Sequence, residues 1–125
     1  MNINGKEIGF RRSVLANCRL ADIAPGHDIG RFFKEKILSM NYAEAQQAAA
    51  ELIAAMNEGY EQYQKFIDPA YAPDPVKPMA LLSLDEVTFN ALYQEAINAY
   101  NNDGKTTVEV QPPKGKKTKK PGASN

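Results

Sequence analysis

A chain of 125 residues with 43% hydrophobic content and equal numbers of cations and acids suits one compact domain that buries a core without staples. No run of eighteen apolar residues occurs, and the polar opening Asn2, Asn4, Lys6 and Glu7 predicts no secretory signal, which excludes a helical membrane span and places the protein in the cytoplasm. The single cysteine, Cys18, rules out an intrachain disulfide, and the single histidine, His27, leaves a metal too few ligands, so no metal or other cofactor is expected.

The zero net charge hides an asymmetry. Residues 1–104 hold nine cations against fourteen acids, or −5, while residues 105–125 hold six lysines against Glu109, or +5. An acidic body carries a basic tail.

Asn2 to Phe10 reads as two short strands around Asn4-Gly5, the dipeptide suited to a tight hairpin because both central positions take positive φ. Ile3, Ile8 and Phe10 then share a side. Ser13 caps a helix with Val14, Leu15, Cys18 and Ala21 on its apolar face, so the Cys18 thiol is expected to be buried and inert. Pro25-Gly26 stops that helix. His27 or Asp28 opens the next, where Ile29, Phe32, Phe33, Ile37 and Met40 form the apolar face, and His27 is read as a surface or capping residue.

The stretch from Asn41 to Ile67 organises the chain. Tyr42, Ala45, Ala49, Leu52, Met56, Tyr63 and Phe66 (or Ile67) recur with steps of three and four, a helical period. Asn41 caps this helix, with Glu44 three residues on as its reciprocal partner. Unbroken, the helix is roughly 40 Å long, and Gly59 marks a weak point where it breaks, if it breaks at all, near Asn57 to Gly59. The stripe reads first as core-facing and second as a surface that receives another chain. Its first half is thinned by alanines, and its second half carries the large, partly polar Tyr60 and Tyr63 with Phe66.

Asp68 to Pro78 contains four prolines and reads as a stiff extended strap anchored by Tyr71. Ser83 and Glu86 form a capping pair for the last helix, with Leu82 packing on Val87. Val87, Leu92, Ala96, Ile97 and Tyr100 continue the apolar face until Asn102 to Gly104 end it. Lys105 to Val110 alternates enough for a short strand or a loose segment. Gln111 to Asn125, rich in lysine, proline and glycine, is expected to be disordered. The fold class is therefore mainly α: a bundle of four to five helices with an N-terminal hairpin over residues 1–110, and a basic tail over 111–125.

No catalytic constellation, phosphate loop or nucleophile elbow is present, and no enzyme is expected. Glu44, Glu51 and Glu58, seven apart on one helix, read as a solvated face because no acid-x-x-histidine companion accompanies them. A small DNA-binding or regulatory protein is the alternative function, with a helix-turn-helix-like pair around Pro25-Gly26 and a tail of Lys114, Lys116, Lys117, Lys119 and Lys120. The acidic body and the lack of aromatics among the tail lysines weigh against nucleic acid.

The opening Asn2-Ile3-Asn4-Gly5-Lys6-Glu7 leading to Phe10 is one part of a suggestive layout. Ala24-Pro25-Gly26 followed by Asp28-Ile29, the Leu84-Asp85-Glu86 helix start, and Thr107-Val108-Glu109-Val110 before the lysine run complete it. Together they resemble the tail assembly chaperones of long-tailed bacteriophages and prophages. That resemblance implies a small, mainly helical, non-enzymatic protein of the host cytoplasm that coats the tape measure protein, and meets the tail tube protein, before the tube polymerises. It also implies absence from the finished virion, and a longer frameshifted form in many members. The family carries no fixed binding residues. On physical grounds Tyr60, Tyr63, Phe66 and the strap with Tyr71 are expected to border the partner surface by helix-in-groove recognition, and a homo-oligomer is expected where no partner covers it.

Overall fold

A computed structural model describes the backbone of residues 1–109 and the side chains of residues 1–102. Asn4 and Gly5 take φ of 51° and 86° and join β1 (Asn2–Ile3) to β2 (Lys6–Glu7) as an antiparallel hairpin, with Asn2 opposite Glu7 and Ile3 opposite Lys6. Two-residue strands cannot stand alone in water. Ile8 is buried in the core, and Ile3 and Phe10 pack against it.

Ser13 caps α1 (Val14–Ile23) by accepting a hydrogen bond from the Ala16 amide. The buried face of α1 is Ala16 and Leu20, followed by Ala24, whereas Val14 and Cys18 are exposed. The expectation of a buried Cys18 is therefore corrected. Small residues at 16 and 59 let α1 approach the long helix closely, and that contact turns Cys18 to the opposite side.

The turn Pro25–His27 puts Gly26 and His27 at positive φ. Asp28 caps α2 (Ile29–Arg31), which widens directly into a π-helical stretch, Phe32–Ile37. Phe32 is buried and Phe33 packs on Tyr100 with ring centroids 5.0 Å apart. Met40, assigned to this apolar face from sequence, is instead fully exposed. The chain leaves the helix after Ile37, so the helical period no longer sets where residue 40 points.

α3 (Tyr42–Ile67) is continuous through Gly59, with no break at 57–59. The glycine serves the approach of a neighbour: a Cβ there would lie 2.6 Å from both the Arg11 carbonyl oxygen and Ser13 Oγ. Asn41 caps the helix by accepting from the Glu44 amide, but the Glu44 carboxylate binds Lys36 Nζ and Ser39 Oγ, each at 2.7 Å, and Ser39 Oγ takes the Asn41 amide. The expected two-residue exchange is thus relayed through Ser39. α3 packs against α1, the π-helical stretch and the two later helices, so its middle is buried on several sides from Ala48 to Glu61. Its two ends emerge, leaving Tyr42, Tyr63, Phe66 and Ile67 exposed.

Two polar side chains are buried on α3, and both serve the connecting segments. Asn57 donates to the Gly9 carbonyl at 2.9 Å and accepts from the Val76 amide at 2.8 Å. One turn on, Glu61 accepts from the Tyr71 hydroxyl at 2.7 Å and from the Asp74 amide at 3.0 Å. Burying a polar group costs free energy unless it is paired, so these bonds fix both segments against the helix. The expected strap is observed, with Tyr71 as its anchor.

Pro78 is not part of the strap. It opens α4 (Pro78–Leu82), where its missing N–H is no loss at a first helical position. Ser83 closes α4 by donating to the Ala80 carbonyl, so it does not cap the next helix; Asp85 does, accepting from the Thr88 amide. Val87 is 79% exposed and forms no staple with Leu82. α5 (Glu86–Glu109) runs through Asn102–Gly104, where the sequence suggested an end, and occupies most of the proposed strand. The polar residues there are weak helix formers without being breakers, and no proline follows until Pro112. Val110 and the tail 111–125 lie outside the described residues. Among the described residues no helix is long and apolar enough to cross a membrane.

Candidate functional site

α3 and α5 lie side by side and run in the same direction, because the strap and α4 carry the chain back to the start of α3. Between them run two adjoining depressions that share Gln46 and Phe89. The first, about 180 Å³, is completed by Tyr42, Leu82, Leu84 and Glu86. The second, about 130 Å³, is completed by Ile37, Ala45, Ala49, Asn90 and Tyr93. Alanines on α3 open this groove, since large side chains at 45 and 49 would fill it.

The electrostatics are simple. Tyr42 donates its hydroxyl to Glu86 at 2.9 Å across the mouth of the first depression, and that hydrogen bond raises the Tyr42 phenol above its ordinary pKa. Burial raises the Tyr93 phenol likewise. Hydrogen bonds from Thr88 hold the Asp85 carboxyl below the usual range, so Asp85 stays charged beside Glu86. Among the described residues lining the groove, Glu86 is the one charged side chain. Leu38, Met40 and Val87 stand exposed near this end of α3 in sequence or on the neighbouring helix. The groove offers mixed contact, with apolar side chains alternating with Gln46, Asn90 and the Tyr42 and Tyr93 phenols, and one anionic edge at Glu86.

The four aromatics expected to border a partner surface are divided by the fold. Tyr63 and Phe66 stack with centroids 6.4 Å apart, and Phe66 is 81% exposed. The Arg11 guanidinium sits 3.7 Å over the Tyr63 ring. Tyr60 instead packs its ring over Gly9, and Tyr71 is bound to Glu61. Two of the four therefore face solvent at the far end of α3, and two hold the fold together. Lys114, Lys116, Lys117, Lys119 and Lys120 lie outside the described residues.

No family model, curated protein or solved structure matches this chain.

A third depression, of about 180 Å³, lies among α1, α3 and the strap. It carries both signs of charge, with Arg19 bound to Glu58 through two hydrogen bonds of 2.9 and 3.2 Å and with Glu51 and Lys77 nearby. Of the three glutamates spaced by seven, two are thus paired, Glu44 with Lys36 and Glu58 with Arg19. Among the described residues no three histidines, cysteines or acids are placed to hold a metal ion. The helix after Pro25-Gly26 turns Phe32 into the core, pairs Arg31 with Glu35 and Lys36 with Glu44, and leaves Lys34 exposed.

Sequence reasoning missed the α3–α5 groove. Its α3 wall shows in the sequence as the run of alanines, but the apolar face Val87, Leu92, Ala96, Ile97 and Tyr100 of the last helix does not include Phe89 and Tyr93. Only the parallel pairing of the two helices makes them the opposite wall.

Proposed function

We propose that this protein is a non-enzymatic binding module that shelters amphipathic helical segments of another protein, in the manner of a phage tail assembly chaperone acting on its tape measure protein. The observation that carries the reading is the apolar surface left at both ends of α3 by a chain whose core is already complete. At one end lies the α3–α5 groove, and at the other lies the Tyr63–Phe66 pair. Tyr42 and Tyr63 are 21 positions apart on one continuous helix, roughly 32 Å at 1.5 Å per residue. A single domain thus touches a long partner at two separated places, which suits a coat on a filament better than a pocket for a small molecule. On this reading the protein works in the host cytoplasm before the tail tube forms and is absent from the finished virion.

Co-expression with the tape measure protein of the same phage or prophage is the test. A soluble complex at defined stoichiometry is the expected result. A tape measure protein that remains insoluble and unbound overturns the proposal.

A further inference from the structure

We infer that the α3–α5 groove receives an amphipathic α-helix of another protein, one that presents two bulky apolar side chains a single turn apart and a lysine or arginine next to the first. Its biological setting rests on the chaperone reading above.

The register of the groove specifies the spacing. From the first depression to the second the lining moves from Tyr42 and Gln46 to Ala45 and Ala49 on α3, and from Glu86 and Phe89 to Phe89 and Tyr93 on α5. Both walls advance by three or four residues, about 5–6 Å along the axes. A helical ligand presents side chains at i and i+4 with that separation. An extended ligand has a similar spacing of same-face side chains, but its backbone donors and acceptors need partners. The walls here are helices whose own backbone groups are already bonded along their axes, so a ligand that satisfies its backbone internally fits.

Volume and charge specify the rest. A cavity of about 150 Å³ accommodates benzene, so the depression of about 180 Å³ has room for a leucine- or phenylalanine-sized side chain and the one of about 130 Å³ for a leucine-sized one. Glu86 edges the first depression with Asp85 beside it, and no lining residue among those described is cationic. A ligand cation is therefore attracted at that end and an acid repelled. This chain's own residues 111–125 contain no bulky apolar side chain and do not meet the requirement. Tyr63 and Phe66 of a second copy come closer, but their rings are stacked on each other and Arg11 covers Tyr63.

The experiment titrates the isotopically labelled full chain with a synthetic helix of about 16 residues, long enough to hold helicity. The peptide carries leucines at i and i+4 and a lysine flanking the first; a sister peptide carries glutamate in place of that lysine. Amide shifts at Ala45, Ala49 and Asn90 are expected. Ala45→Met, which fills the second depression, should weaken binding at least about fivefold, with the helical circular dichroism retained as the control for folding. The lysine peptide should bind about threefold better than the glutamate peptide, a preference that Glu86→Lys reverses. Tyr42→Phe, which removes the hydrogen bond and leaves the charge, should keep it. No binding at millimolar peptide, shifts confined to Tyr63 and Phe66, or a charge preference indifferent to residue 86 overturns the inference. Concentration-dependent shifts at Ala45 and Ala49 without peptide also overturn it, in favour of a second copy as occupant. If Ala45→Met and Glu86→Lys leave a tape measure complex intact, the groove assignment fails while the chaperone reading stands. If the peptide binds as described and no tape measure complex forms, the reverse holds.

Discussion

The Tyr71 hydroxyl donates to the Glu61 carboxylate at 2.7 Å, joining the strap to the buried side of α3. Because the bond exists only while the phenol keeps its proton, Glu61 pushes the Tyr71 pKa up to about 12, with burial adding to the effect. The unfolded value is about 10. A raised pKa means the folded state holds the proton more tightly. The stabilisation is complete below about pH 10 and is lost as pH rises through about 12. Denaturation midpoints followed from pH 8 to 12 should fall along this window in the wild type. In Tyr71→Phe they should start lower and fall less steeply.

Asn57 makes a different kind of bridge. Its amide group serves Gly9 on one side and Val76 on the other. Asn57→Ala leaves a half-buried carbonyl and a half-buried amide without their partner, and at about 1–3 kcal/mol for an unsatisfied buried group the loss should be about 2 kcal/mol. Urea denaturation checks the magnitude. Hydrogen exchange at Val76 should accelerate more than exchange in the middle of α3, which separates release of the strap from general unfolding.

Replacing a helical glycine by alanine ordinarily gains about 1 kcal/mol. Gly59→Ala should do the opposite. The added methyl meets the Arg11 carbonyl oxygen and Ser13 Oγ at 2.6 Å, so the entry into α1 must shift. Overpacking of this kind costs about 1–3 kcal/mol, and a net loss near 1 kcal/mol is expected in equilibrium unfolding. A stabilised variant would show that the Arg11–Ser13 segment yields freely.

Phe66 is large, apolar and outside the core. Phe66→Ser should change folding stability by no more than about 0.5 kcal/mol, and under the proposed chaperone function it should lower recovery of a tape measure complex. Tyr63→Ser should cost somewhat more, because the ring also carries Arg11, a contact worth about 0.5–1 kcal/mol at an exposed site. Thermal unfolding and co-purification, measured on the same preparations, separate the two effects.

Local physics made much of this protein legible from its residues. The Asn4-Gly5 turn, the caps at Ser13 and Asn41, the helical period of residues 41–67 and the Tyr71 anchor each depend on a few neighbouring side chains and appear as expected; of the two candidates His27 and Asp28 the structure takes Asp28, and the proline strap stops one residue short, at Lys77. The bundle architecture follows from them. Ser83 reads as the cap of the last helix, yet Asp85 takes that role, because α4 uses Ser83 for its own end. Which face of a helix is buried is a different matter. A stripe of apolar residues states that something will cover it, not what or where. Cys18 faces out because Ala16 meets Gly59. Met40 is bare because the chain leaves its helix at Ile37. The stripe on α3 is sealed in the middle and open at both ends because its neighbours stop short of it. The groove belongs to that second class. Alanines 45 and 49 and the rings of Phe89 and Tyr93 are about forty residues apart in the chain, and only the return path through the strap sets their helices parallel and makes two unremarkable surfaces into the walls of one site.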